Sequence, residues 1–353
     1  LVYHKTQFNS GKQKSYNVNA HVSYNEPIDR EIYLQNSNSY HYSFRDNSRD
    51  VRSIFDPHNE EMGVTVWNYD DFFDSPYSVR DRQQCSYSIN HYQHHDARLQ
   101  LRINRTKFQL TAGGSVQPQI STIDYEKGKI DTVLSRTVTN ISPTFHFRYK
   151  FSQEEQLNIR YNGNTGQPNM TDMIPDTLSD ANPLNIRIGN ATLKPSFTHN
   201  VNFDYNRAVP EYQRSYSLNA QFHTTQNSTT TLTEYNEETG GRVSMPVNVD
   251  GNWNASTNFN FNTALDSAKN WTIFSGTQIR GGVNIGYLYN GTTKQTILNR
   301  TRSGNFRQEL RFTYRRRWDS EWSIEANANG TFQYHINRND NPQAKDLDNY
   351  NFN

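Results

Sequence analysis

The chain has 353 residues with 36 basic and 35 acidic side chains, so no excess of positive charge points to nucleic acid as a partner. Only 33% of residues are hydrophobic and the mean hydropathy is -0.97, yet 13% are aromatic, which argues against a disordered chain. No run reaches the ~18 apolar residues of a membrane helix, and the one cysteine, Cys85, excludes an internal disulfide.

From the N-terminus onward the dominant signal is alternation of apolar and polar side chains, the period of a strand with unlike faces. Tyr16, Val18, Ala20, Val22 and Tyr24 form the first clean face, and a short turn over 25–30 leads to Ile32, Leu34, Tyr40, Tyr42 and Phe44. A long polar and aromatic connection follows over 45–84. Cys85, Tyr87, Ile89, Ala97, Leu99, Leu101 and Ile103 then keep one parity, and the turn 104–107 feeds Phe108, Leu110, Ala112, Gly114 and Val116. After a long connection near 121–136 come Ile141, Pro143, Phe145, Phe147, Tyr149 and Phe151.

The second half repeats this grammar. A turn at 152–156 precedes Leu157, Ile159 and Tyr161, and a Pro-stiffened connection over 167–196 carries Asn182-Pro183 and Gly189-Asn190. Phe197, His199, Val201, Phe203 and Tyr205 share one face of the next strand, with Thr198, Asn200, Asn202 and Asp204 on the other. The turn 207–214 leads to Tyr216, Leu218, Ala220 and Phe222. A loop at 227–250, rich in Thr, Glu and Gly, leads to Trp253, Ala255, Phe259 and Phe261. Beyond a turn at 264–270 stand Trp271, Ile273, Ile279, Val283, Ile285, Tyr287 and Tyr289, then a connection near 290–304 and Phe306, Leu310, Phe312 and Tyr314. The turn 315–321, the strand Trp322, Ile324, Ala326, Ala328, Phe332 and Tyr334, and a connection near 336–348 bring the chain to the start of another strand at 349–353.

Roughly a dozen strands thus alternate between short and long connections. That is the order of an outer-membrane barrel, with short periplasmic turns and longer outer loops. A soluble sandwich or solenoid has no reason to sort its loops by end. Aromatic residues near strand ends, among them Tyr16, Phe108, Phe151, Tyr205, Trp253, Trp271 and Trp322, suit a lipid interface, where the ring is buried and its polar edge stays wet. The fold class expected is all-β: a transmembrane antiparallel up-and-down barrel wall, with 1–353 as a single domain and no composition break dividing it.

The wording N-P-L-x-I-x-x-G-N-x-x-L-K-P-x-x-x-H-x, read over Asn182 to Asn200, resembles the barrel of TonB-dependent-receptor-like outer-membrane proteins, specifically the outer membrane protein beta-barrel family. The run Pro246-Val-Asn-Val-Asp-Gly-Asn-Trp-Asn-Ala-Ser256 is the other stretch that reads as family wording. The resemblance implies a larger barrel of about 22 strands and a receptor or transporter in the Gram-negative outer membrane. Its implied activity is TonB-dependent uptake of a nutrient too large for porins. Its implied partners are outer-membrane lipid, the TonB complex and a surface lipoprotein, the last two acting through parts outside this sequence. The chain begins Leu-Val-Tyr-His, as an internal piece of a longer protein does, and neither a plug nor a TonB box is visible. The alternative is a binding or structural barrel without energised transport.

Chemical constellations are few. His91, His94, His95 and Asp96 offer metal-ligand types, but on a strand His94 points away from His91 and His95. Asp340, Asp346 and Asp348 with Asn337 and Asn339 lack the Gly and Glu spacing of a calcium loop, and the run Arg315-Arg316-Arg317 reads as a solvated turn. No catalytic motif such as G-x-S-x-G occurs, so no enzyme, cofactor or metal is assigned. The ligand-binding candidates are the aromatics of the first long loop, Trp67, Tyr69, Phe72, Phe73 and Tyr77, since exposed aromatics anchor partners.

Three structural expectations follow from this reading. The short turns share one end and the long connections the other. Val18, Val22, Leu99, Leu101, Phe145, Phe147, Val201, Phe203, Leu218, Ile285, Phe312 and Ile324 point outward, while Gln109, Arg148, Arg160, Asn202, Asn219 and Arg311 point inward. The first and last strands do not pair with each other.

Overall fold

The computed structural model describes residues 7–54, 78–82, 84–174, 184–238, 240–290, 293–317, 323–340 and 345–352. Alternation writes itself out as long antiparallel strands. They are β1 (Gln7–Asp29), β2 (Ile32–Ile54), the short β3 (Ser78–Arg80), β4 (Ser86–Asn104), β5 (Phe108–Lys127) and β6 (Ile130–Lys150). Next come β7 (Glu155–Gly166), a three-residue β8 (Asn185–Arg187), β9 (Ser196–Val209), β10 (Arg214–Gln226), β11 (Ser228–Asn236) and β12 (Gly241–Val249). The series closes with β13 (Asn252–Ala264), β14 (Trp271–Asn290), β15 (Gln295–Arg317), β16 (Ser323–Asn339) and β17 (Leu347–Phe352). Helix is confined among the described residues to two 3-10 turns, Met170–Met173 and Pro210–Tyr212.

One sheet of 14 strands follows the path β1-β2-β4-β5-β6-β7-β9-β10-β13-β14-β15-β16-β17, with β3 set off against β2. Each strand on this path pairs antiparallel with its successor, so the connections fall alternately at two ends. The turns after β1, β4, β6, β9, β13 and β15 share one end, as the short-and-long sorting predicts. Among the described residues no ladder joins β1 to β17, and the sheet is open.

Several connections differ from their predicted form. The connections 45–84, 315–321 and 336–348 are shorter than expected, since β2 runs on to Ile54, β15 to Arg317 and β16 to Asn339, and β3 lies within the first. The stretches near 121–136 and 290–304 are strand, not loop: β5 and β6 run on to the two-residue turn at Gly128-Lys129, and β14 and β15 pair as far as Asn290↔Gln295. The stretch 227–250 is the hairpin β11–β12, which joins β8 in a separate 3-stranded sheet. On β5 and β6 the apolar residues change parity here, to Ile123, Tyr125, Ile130 and Leu134, so the alternation followed from below breaks while the strand continues.

The faces sort as the alternation predicts over the lower half of the wall. Register places Leu34, Leu101, Ala112 and Phe145 on one side, and Ile159, Phe203, Ala220 and Thr257 continue that side. The opposite side carries Gln109, Arg148, Arg160, Asn202, Asn219 and Arg311. Val18, Val22, Leu99, Leu101, Phe145, Phe312 and Ile324 are exposed, Val22 to 70%, which is the outward apolar face of a membrane barrel. Phe147, Val201, Phe203 and Leu218 are half-buried against their neighbours. Ile285 departs from expectation. It is only 3% exposed, because the chain at Gly251 crosses it.

Above the membrane band the two faces exchange polarity. On β5 the outer residues are apolar from Phe108 through Leu110, Ala112 and Val116, a nine-residue reach that suits the ~9–11 residues of a tilted membrane strand. Beyond Ile120 the same face turns to Thr122, Asp124 and Glu126, while Ile123 and Tyr125 on the inner face become buried. The neighbouring β6 mirrors this. Its outer Ile141, Phe145, Phe147 and Tyr149 give way to Ser135, Thr137 and Thr139, and Leu134 turns inward to pack with Ile130 and Met170 on a core of Ile123, Tyr125 and Ile174. Water on the outside favours the arrangement of a soluble sheet, and lipid favours its inverse. Aromatic pairs mark the lower edge of the band: Tyr149–Phe151 at 4.7 Å, Tyr216–Phe261 at 5.1 Å and Trp271–Tyr314 at 4.6 Å between ring centroids.

This boundary predicts opposite responses to one kind of substitution. Ala112→Arg, facing lipid, is expected to weaken folding into bilayers by about 2–4 kcal/mol, whereas Thr137→Arg above the band leaves it nearly unchanged; denaturant titration in vesicles distinguishes them. Single cysteines placed at Ser135 and at Ser267 should likewise differ on intact cells. A membrane-impermeant maleimide labels the first and spares the second, since Ser267 lies at the short-turn end.

Candidate functional site

Strand length builds the site. β7, β9, β10 and β13 have 12, 14, 13 and 13 residues, between tall hairpins β5–β6 of 20 and 21 residues and β14–β15 of 20 and 23. The four short strands therefore leave a notch in the wall at the long-connection end. Among the described residues its flanks lack ladder partners, because β6 meets β7 only from Thr144 to Lys150 and β14 meets β13 only as far as Val283. The segment 167–174, the segment 188–195 and the sheet β8–β12–β11 fill this notch.

The filling is held by side chains reaching for backbone. Arg136 on the inner face of β6 donates to the Leu193 carbonyl at 2.9 Å, and Leu193 and Ile174 are buried. Gly189 is required here, because a Cβ would stand 1.9 Å from the Ile174 carbonyl oxygen. Asn190 accepts from the Thr192 N–H at 2.9 Å and donates to the Pro246 carbonyl at 2.9 Å. Asn248 accepts from the Lys194 N–H at 2.8 Å, and its amide nitrogen donates to the carbonyls of Lys194 at 3.1 Å and Asn227 at 2.8 Å. The two runs of family wording are thus one physical object, tied across more than fifty residues of sequence.

The hairpin's exit has the same economy. Asp250 Oδ1 accepts from the Asn227 N–H at 2.6 Å, with Asn227 at φ 51° and Gly251 at φ 102°. A side chain at Gly251 would be strained by that φ and would meet Ile285 at 2.8 Å. Asn252 Oδ1 accepts from the Ile285 N–H at 2.6 Å, occupying a donor on the free edge of β14. Farther out, Thr296 donates to the Thr233 carbonyl at 2.6 Å, and Tyr289 donates to Glu237 at 2.6 Å. Glu237 also pairs with Lys294. The Lys294 ammonium, and then the Tyr289 hydroxyl, hold this carboxyl below its ordinary range.

Below the notch the inner wall is a field of amides and arginines. Gln117, buried, donates to Asp96 and Ser115 at 3.0 Å each, and Asn219 donates to Asp204 at 2.7 Å. Arg148 donates to Gln156 at 2.8 Å. Such a surface hydrogen-bonds polar solutes in either sense and repels apolar ones.

The other candidates fall out as alternation predicts. His94 lies on the inner face, with its ring parallel to that of Tyr92. His91 and His95 lie outside, where His91 Nδ1 is 2.9 Å from the Tyr42 hydroxyl and His95 packs on Tyr40. The late aspartates are engaged by arginine: Arg302 with Asp340 at 2.6 Å and Arg338 with Asp348 at 2.9 Å. The run at 315–317, read as a turn, is instead the end of β15, paired with β16, and Arg315 pairs with Glu325 at 2.6 Å on the inner wall. Trp67, Tyr69, Phe72, Phe73 and Tyr77 lie outside the described residues. Sequence reasoning missed the joining of the two runs, although Asn190 beside Gly189, and Asn248 two residues after Pro246, were a readable sign of side-chain-to-backbone bonding.

The description "Outer membrane protein beta-barrel family" matches residues 4–353. Solved structures similar to the chain include the copper transporter OprC, with 10% identity and TM-score 0.49 over 96% of this chain and 52% of that one. The FpvAI–pyocin S2 complex is similar at 11% identity and TM-score 0.42, over 94% of this chain and 44% of that one. The ferric-catecholate import receptor Fiu of E. coli K12 is similar at 11% identity and TM-score 0.41, over 94% and 55%. The chain spans about half the length of these structures. No curated protein matches the sequence.

Breaking the tie between the two runs is expected to loosen the mouth and not the wall. Asn248→Ala leaves backbone groups at 194 and 227 unsatisfied and should weaken the notch filling by about 1–3 kcal/mol. Hydrogen exchange is the measurement: amides of 228–249 exchange faster, while those of β9 and β10 stay protected.

Proposed function

The chain belongs to the outer membrane protein beta-barrel family, in the Gram-negative outer membrane, and on that premise we propose that it forms the wall of a receptor that takes up a solute too large for a porin. The observation that carries this reading is the open thirteen-strand path with a polar inner face. Unpaired edges do not persist in hydrocarbon, and a barrel's bore widens with its strand number. A wall that must accept more strands than these encloses a lumen wider than a small channel needs. The amide-rich inner face and the knotted mouth support ligand capture from outside, with energy from TonB and no catalytic step in this wall.

The test uses the full-length protein in cells with and without TonB, offered a panel of labelled oligosaccharides, peptides and metal chelates. Uptake of at least one class that disappears without TonB, and falls on deletion of 228–249, is the expected result. Binding without TonB-dependent uptake would favour a binding or structural barrel.

A further inference from the structure

The short-turn end holds a second feature, remote from the knotted mouth and independent of the uptake reading. Where the β13–β14 turn meets the bases of β14, β15 and β16, the inner wall hollows into a recess of about 600 Å³. Its cations are Lys269, Arg311 and Arg315, and among the described residues Glu325 is the one carboxylate lining it. Around them stand amides and hydroxyls, among them Asn270 and Asn329. A cavity of this volume suits a small ligand or a peptide segment, and its lining selects a polar, negatively charged one.

The two guanidinium groups are fixed in advance. Arg315 Nε and Nη2 both donate to Glu325 Oε2, at 3.0 and 2.6 Å, and Asn327 donates to the other oxygen of that carboxylate at 3.1 Å. Thr313 in turn donates to Asn327 at 2.7 Å. Arg311 donates to Glu309 at 2.7 Å and lies over the Phe274 ring, 5.6 Å from its centroid. Each guanidinium has five N–H groups, so both keep donors beyond these bonds. Lys269 sits at φ 59° in the turn, and no hydrogen bond or ion pair engages its ammonium among the described residues. An ammonium with no counter-ion among the described residues, lining one recess with two oriented guanidinium groups, can bind a carboxylate by charge-assisted bonds.

We propose that this recess binds a carboxylate-bearing ligand, with Lys269 as its anchoring charge. The carboxylate can belong to a small polycarboxylate or to an acidic polypeptide segment, and the test separates them. The full-length protein in detergent micelles is titrated at low salt with citrate and, separately, with a short glutamate-rich peptide. The expected result is binding of one or both, about tenfold weaker in Lys269→Ala, since a hydrogen bond to a charged group is worth about 1.5–3 kcal/mol. Lys269→Arg should restore it, and rising salt should weaken it. Citrate binding alone identifies a small polycarboxylate, and peptide binding alone identifies a polypeptide segment. Absence of binding by both probes at millimolar concentration, or equal affinity in wild type and Lys269→Ala, overturns the proposal. Lys269 is exposed on its turn, so its substitution leaves the fold intact.

Discussion

Everything in this molecule answers to one requirement: no backbone N–H or C=O is to be left unpaired where water cannot reach it. Within the membrane band the requirement is met by ladder between successive strands, and the two ends of the thirteen-strand path are left to further pairing. At the notch, where four strands stop short, ladder is unavailable. Side chains take over there: Asn252 on the Ile285 N–H, Asn248 on three backbone groups, Arg136 on the Leu193 carbonyl. Asn248 and Asn252 stand in the second run of family wording, and the first run supplies Leu193 and Lys194, which Arg136 and Asn248 engage.

The exchange of polarity along β5 and β6 shows how a single strand serves two solvents. The backbone does not change, and the side-chain period does not change. Only the assignment of apolar residues to one parity or the other switches near Ile120 on β5 and Asn140 on β6. A hydropathy average over these strands cancels to a polar value, which is why a mean hydropathy of -0.97 coexists with a continuous lipid-facing surface.

Much of this was legible from residues alone. The strands around Leu99, Phe145 and Phe203 announced themselves because apolar and polar groups alternate there, and the sorting of turns by end followed from connection length. The upper ends of β5, β6 and β15 were read as loops: on β5 and β6 the apolar residues Ile123, Tyr125 and Leu134 pass to the other parity, so the strand persists while the pattern followed from below breaks. Ile285 was misplaced for a related reason. Parity told which side it faces, but not that residues 250–252, more than thirty positions away, would cover it. Long-range burial is decided by chain crossings that local period does not encode. The recess around Lys269 was equally hidden, since its lining comes from separate strand bases and no short motif collects them.

The knot at the mouth also has a history in time. Asn190 meets Pro246, and Lys194 meets Asn248, across 56 and 54 residues, and loop closure on that scale is entropically slow to find. Between the two runs lie β9 and β10, which pair with each other through a three-residue 3-10 turn. Once that local hairpin zips, it brings residue 196 near residue 226 and most of the intervening length ceases to count. The ties at the mouth thus rest on the β9–β10 hairpin, which shortens the loop they have to close.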